Sequence, residues 1–114
     1  MEFVSLKKST SLQPTSTTTI HEYMMTDPII NGAVADIQGR YPEKGFVVNT
    51  TSREIVYVID GSGIVGLLDK EVSITVGDVL LLLPNEKYYW QGTLKLFMAT
   101  TPRFDPAQHN ITLS

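Results

Sequence analysis

The chain contains no cysteine, which excludes disulfides, thiolate zinc sites and cysteine nucleophiles. Basic residues are few: Lys and Arg number 9 against 12 Asp and Glu, a net charge of −3. A nucleic-acid binder carries a basic stripe, and here Lys7 and Lys8 are the only adjacent basic pair. An acidic surface is not drawn to anionic lipid either. Long apolar runs are also missing. The longest, Ile55–Ile59 and Val79–Leu83, are far too short to cross a bilayer. The opening MEFVSLKKST lacks the apolar stretch of a secretory signal. These absences predict a soluble cytoplasmic protein with neither nucleic-acid nor membrane partners.

What remains is a 114-residue chain that is 42% hydrophobic. That is one domain with a genuine core and modest stability. Ser9–Thr19, STSLQPTSTTT, is rich in Ser and Thr. Residues 1–19 therefore read as a flexible arm or an edge strand, and residues 20–114 as the folded domain. Turn signals then recur at short intervals, among them TDP, NG, YPEKG, DGSG, VGD, PNE and QGT. Short β-prone runs lie between them. VSITV alternates as a half-buried strand does, while VLLLL is apolar on both faces and predicts a strand packed on both sides. Only the last dozen residues have helical period. Many short strands at regular spacing predict an all-β sandwich or barrel. GSGIVG, Gly61–Gly66, spells a dinucleotide fingerprint, but the residues after it read as two strands rather than a helix. Glycine in a β-hairpin accounts for it better.

Two stretches resemble the cupin family of double-stranded β-helix (jelly-roll) barrels. In EIVYVIDGSG, Glu54 precedes Gly61 by the spacing that ends the first cupin motif. In GDVLLLLPNEKYYW, Gly77 and Asp78 open a strand that ends at Pro84, as in the second. The tail TPRFDPAQH also resembles the ending of small cupins. The resemblance spans roughly residues 33–109 and implies a jelly-roll barrel with a short irregular or helical C-terminal tail. The motif histidines are absent. The His-x-His pair falls on Val48 and Thr50, or on Val47 and Asn49 under a longer spacing. The third falls on Tyr88, or on Tyr89 if counted from Pro84. Of four ligands only Glu54 remains, so the resemblance implies the fold but no metal and no other cofactor.

The candidate pocket is Val48, Thr50, Glu54, Val56, Tyr88, Trp90 and Met98. Glu54 reads as an inward carboxylate whose pKa burial would raise, or as a rim glutamate paired with Arg53, Arg40 or Lys44. If Glu54 points inward, so do Val56 and Val58. Tyr88 shares a face with Trp90, and its hydroxyl needs a partner, for which Glu54 is the candidate. That pair could be an acid–base dyad or a hydrogen bond that plugs a disused metal site. His21 reads as a surface or interface residue and His109 as exposed. Arg40, Tyr41 and Lys44 read as an ordinary turn, with sugar or anion binding at the mouth as the rival. Met24, Met25 and Met98 read as core or interface filler.

These features predict a metal-free barrel that binds a small sugar-like or anionic ligand, or serves dimerisation, without catalysis. The alternative is a metal-independent sugar isomerase or epimerase using Glu54 and Tyr88; a metalloenzyme with unusual ligands ranks third. A homodimer is the expected partner, formed through the sheets with the Ser/Thr arm adding to a neighbour.

Overall fold

A computed structural model describes all 114 residues. Nine strands form a curled sheet: β1 (Thr10–Thr15), β2 (Thr18–Tyr23), β3 (Asn31–Tyr41), β4 (Phe46–Asn49), β5 (Arg53–Gly66), β6 (Glu71–Thr75), β7 (Val79–Leu82), β8 (Lys87–Thr101) and β9 (His109–Thr112). All pairings are antiparallel. The long β8 lies between β3 and β5 for most of its length. β3 continues outward to β2 and β1, and β5 continues to β6 and β7. β4 bridges the start of β8 to β9. No helix is long and apolar enough to cross a membrane.

Alternation sends one face of each strand inward. On β5, Glu54, Val56 and Val58 are buried while Ile55, Tyr57 and Ile59 face out. On β8, Tyr88, Trp90, Leu94, Leu96 and Met98 are buried. With Ile37, Val47 and Leu82 they belong to a single 14-residue core.

β5 and β8 are each longer than the sequence suggests. EIVYVI and the first three residues of IVGLL are two parts of β5, and YYW and LKLFMAT are two parts of β8. The glycines between them mark a corner rather than a break. Gly39, Gly92 and Gly63 face one another across β3, β8 and β5. A Cβ on Gly92 would sit 2.6 Å from the Gly63 Cα, and the Gly92 φ is +136°. Side chains there would hold the strands apart, so glycine lets the sheet fold over sharply. GSGIVG thus belongs to the bend of β5, and the hairpin turn lies beyond it, between Gly66 and Glu71.

Two other expectations change. VLLLL is packed on one face only: Val79 and Leu81 are 60% and 53% exposed, whereas Leu82 is buried. The C-terminal tail holds one 3-10 turn, Pro106–Gln108, and then β9. Its helical period yields to pairing with β4. The Ser/Thr-rich stretch forms β1 and the start of β2, folded on its own sheet, with one edge of β1 unpaired.

Candidate functional site

The barrel encloses a cavity of about 280 Å³. That suits a small ligand, since drug-sized sites run from about 300 to 1,000 Å³. Its walls come from β1, β2, β3, β5 and β8, with Phe104, Pro106 and His109 closing from the tail. Two carboxylates, Glu22 and Glu54, reach it, and no Lys or Arg does.

Glu54 is 5% exposed. Its Oε2 is buried with no hydrogen-bond partner. Taking a carboxylate out of water disfavours the charged form, and burial raises the Glu54 pKa from 4.5 to about 7. The rim pairing with Arg53, Arg40 or Lys44 does not form. Arg40 instead donates to the carbonyls of Pro42 and Gly45, at 2.6 and 2.9 Å, and lies over the Tyr89 ring.

Tyr88 and Trp90 face inward, their rings 5.8 Å apart edge to face. Tyr88, not Tyr89, takes the motif position: Tyr89 faces out and donates to Glu71 at 2.6 Å. The partner of Tyr88 is not Glu54, however. Asn49 Nδ2 donates to the Tyr88 oxygen at 3.2 Å. β4 presents Val47 and Asn49 to the interior, so the longer spacing for the histidine pair is the right one. Val48 lies on the outer face of β4 and Thr50 is exposed, and neither lines the cavity. Val56 is fully buried in the core away from the cavity wall. Glu54, Tyr88, Trp90 and Met98 do line it. The expectation for Val48, Thr50 and Val56 failed because a one-residue slip on β4 swaps faces, and because an inward residue can pack without reaching open space.

His109 is not exposed. The β4–β9 pairing sets it opposite Asn49, and it is half-buried. Its Nδ1 lies 2.8 Å from Asn49 Oδ1, and its Nε2 2.9 Å from the Tyr41 oxygen. Burial lowers the His109 pKa below 6.5, which keeps the ring neutral at pH 7. Tyr41 is buried too, and loss of water followed by the nearby Glu54 charge pushes its pKa to about 12. Burial raises Tyr88 well above 10 by the same physics. Sequence reading placed Tyr41 in an ordinary turn and missed His109. The only signal for His109 was the tail motif, which did not reveal that the tail returns to the barrel. His21 lies on the outer face beside Val34. Lys44 is exposed, and Met24 and Met25 are outside the cavity.

The donor set does not fit a metal. The four motif positions carry Val47, Asn49, Glu54 and Tyr88, and nowhere do three His, Cys, Asp or Glu side chains gather. Asn49 Oδ1 already meets Gln108 Nε2 at 3.2 Å as well as His109. At those four positions one carboxylate, one engaged carboxamide and one neutral phenol are weak competitors for the divalent ions that imidazole sites hold.

No family model matches the chain. No curated protein matches it by sequence. Solved structures do match. Pac13, described as a unique nucleoside dehydratase, superposes with a TM-score of 0.87 at 16% identity, covering 98% of this chain and 91% of that one. Point variants of Streptomyces PAC13 have also been solved with uridine. Ectoine synthase from P. lautus gives 0.75 at 17% identity, over 100% and 91% of the two chains. An RmlC-like cupin from Shewanella frigidimarina gives 0.75 at 13%, over 94% and 96%. Identity this low speaks for the fold alone, and on fold the structures and the motifs agree: the chain is a small cupin-type jelly-roll barrel.

Proposed function

We propose that the cavity binds a small, uncharged, hydroxyl-bearing molecule of the sugar or nucleoside kind, and that Glu54 moves a proton on it without a metal. The observation that carries this is the buried, unpartnered Glu54 oxygen in a cavity that no Lys or Arg reaches. A carboxyl with a pKa near 7 is suited to give or take a proton at neutral pH. Its bare oxygen calls for a hydrogen-bond donor, which a hydroxyl or ring N–H supplies. Two carboxylates without a counter-charge disfavour a phosphate or carboxylate ligand, so the anionic class is set aside. Trp90, Tyr88, Tyr41 and Phe104 offer faces and edges for a planar ring. The likeness to a nucleoside dehydratase supports a nucleoside within this class.

An NMR screen tests the reading, with neutral nucleosides and sugars run beside their phosphate esters. Neutral compounds should bind and shift the Trp90 indole signal, with uridine at least tenfold tighter than uridine 5′-monophosphate. Hits confined to phosphate esters or carboxylic acids would overturn it.

We also propose that a second copy covers the outer face of β5, β7, β8 and β3. Ile55 and Tyr57 lie beside Leu81 and Val79 on one side, and Tyr57 lies beside Phe97 on the other. Phe97 lies in turn beside Val34. Ile55, Tyr57, Val79, Leu81 and Phe97 are each 42% to 60% exposed, and a contiguous apolar patch of this kind marks an interaction surface. Each partner in a standard interface supplies about 800 Å². The row Asp60, Lys95, Asp36 borders the patch and carries both signs, which suits a self-complementary twofold contact.

A further inference from the structure

We infer that two backbone amides set the direction of every hydrogen bond from Gln108 to Tyr41, holding His109 as its Nδ1–H tautomer, so that Tyr88 offers a ligand a donor and Tyr41 offers it an acceptor. The argument starts where direction is not in question. The backbone N–H groups of Thr51 and Ser52 both point to one Gln108 atom, each at 3.1 Å. A backbone amide only donates, so that atom is the carboxamide oxygen. The Gln108 nitrogen then faces Asn49, 3.2 Å away. It too only donates, so the Asn49 atom there is its oxygen.

That oxygen is also 2.8 Å from His109 Nδ1. An amide oxygen cannot donate, so Nδ1 carries the ring proton. In the neutral ring Nε2 holds a lone pair, and Tyr41, 2.9 Å away, donates to it. At the other end of Asn49 the side-chain nitrogen donates to the Tyr88 oxygen at 3.2 Å. The two phenols are therefore opposite in kind. Tyr41 has committed its proton to His109 and presents lone pairs to the cavity. Tyr88 has accepted a bond and keeps its own proton to give.

The inference rests on reading this cavity as the ligand site, and it deepens that reading. The ligand must present a donor to Tyr41 and an acceptor to Tyr88, with a further donor for Glu54. Adjacent hydroxyls, with two O–H donors and oxygen lone pairs between them, meet that pattern. Asn49 and Gln108 are positioning residues here: they act on the ligand only through His109 and the tyrosines.

The test is the tautomer of His109 in ¹⁵N-histidine-labelled protein, read from long-range ¹H–¹⁵N correlations at pH 7.5, with the His21 signals identified by His21→Asn. The native protein should show a protonated Nδ1 and an unprotonated Nε2. Tyr41→Phe should leave that pattern in place, because the tautomer is set from the Gln108 end. Gln108→Glu, whose side chain still accepts from Thr51 and Ser52 but cannot donate to Asn49, should lose it in a chain that remains folded. A protonated Nε2 in the native protein overturns the inference, and so does a pattern that follows Tyr41→Phe and ignores Gln108→Glu. The native measurement needs no variant to fold and no ligand to bind. A failed ligand screen therefore leaves it standing, and its own failure leaves the role of Glu54 standing.

Discussion

Glu54 stores a pH dependence that can be measured without knowing the ligand. In the unfolded chain its carboxyl titrates near 4.5, and in the folded barrel near 7, because burial penalises the charged form. Between those values the folded state holds a proton that the unfolded state has released, so stability falls as pH rises through this window. The stability associated with protonated Glu54 is fully present below pH 4.5 and lost once pH passes about 7. The size of the loss is about 3 kcal/mol, at roughly 1.4 kcal/mol for each tenfold change in proton affinity. Against a total stability of about 5–15 kcal/mol this is a large fraction. Glu54→Gln keeps the shape and removes the titration. Urea unfolding of both proteins at pH 5, 6, 7 and 8 should show the native chain losing ground to the variant by about 2–3 kcal/mol across the series. His109 runs the other way, its lowered pKa costing stability as pH falls, but both proteins carry it and it cancels in the difference. A difference that stays flat from pH 5 to 8 would refute the reasoning. It would mean that Glu54 is hydrated or paired in solution.

The other predictions concern the sheet. Gly92→Ala places a methyl 2.6 Å from the Gly63 backbone at a φ of +136°; it should cost about 2 kcal/mol or more, read as a lower urea midpoint, and a loss below about 0.5 kcal/mol would show that the corner does not depend on glycine. On the outer face, Tyr57→Lys with Phe97→Lys should convert a dimer at micromolar concentration to a monomer in sedimentation, without altering the His109 tautomer. A native chain already monomeric there would remove the proposed interface.

The architecture was legible because it rests on local rules. Period-2 alternation, turn residues and the two motif stretches are enough to indicate a jelly-roll barrel. They also place Glu54 inward with Val56 and Val58 and put Tyr88 on the face of Trp90. Strand boundaries were less legible, since the same glycines that end a strand can bend one, and only the register of β3, β8 and β5 shows which. The inward set on β4 hung on one residue of spacing, which a period-2 pattern cannot resolve when Val47 and Val48 are both apolar.

The site depended on tertiary structure still more. Sequence by itself determined that no histidine stands at the positions the motif resemblance singles out, and that Glu54 stands where it places a glutamate. Only the folded chain decided what that glutamate meets. Tyr41 comes from the end of β3, Asn49 from β4, Tyr88 from β8 and His109 from β9. The 59 or more positions that separate Asn49 from Gln108 and His109 carry no local signal. The pairing of β9 with β4 brings them together, and burial there shifts the pKa values of His109 and Tyr41 away from their ordinary ranges. Hydrogen bonding and desolvation depend on what surrounds a group in space, and that is settled only when the barrel closes.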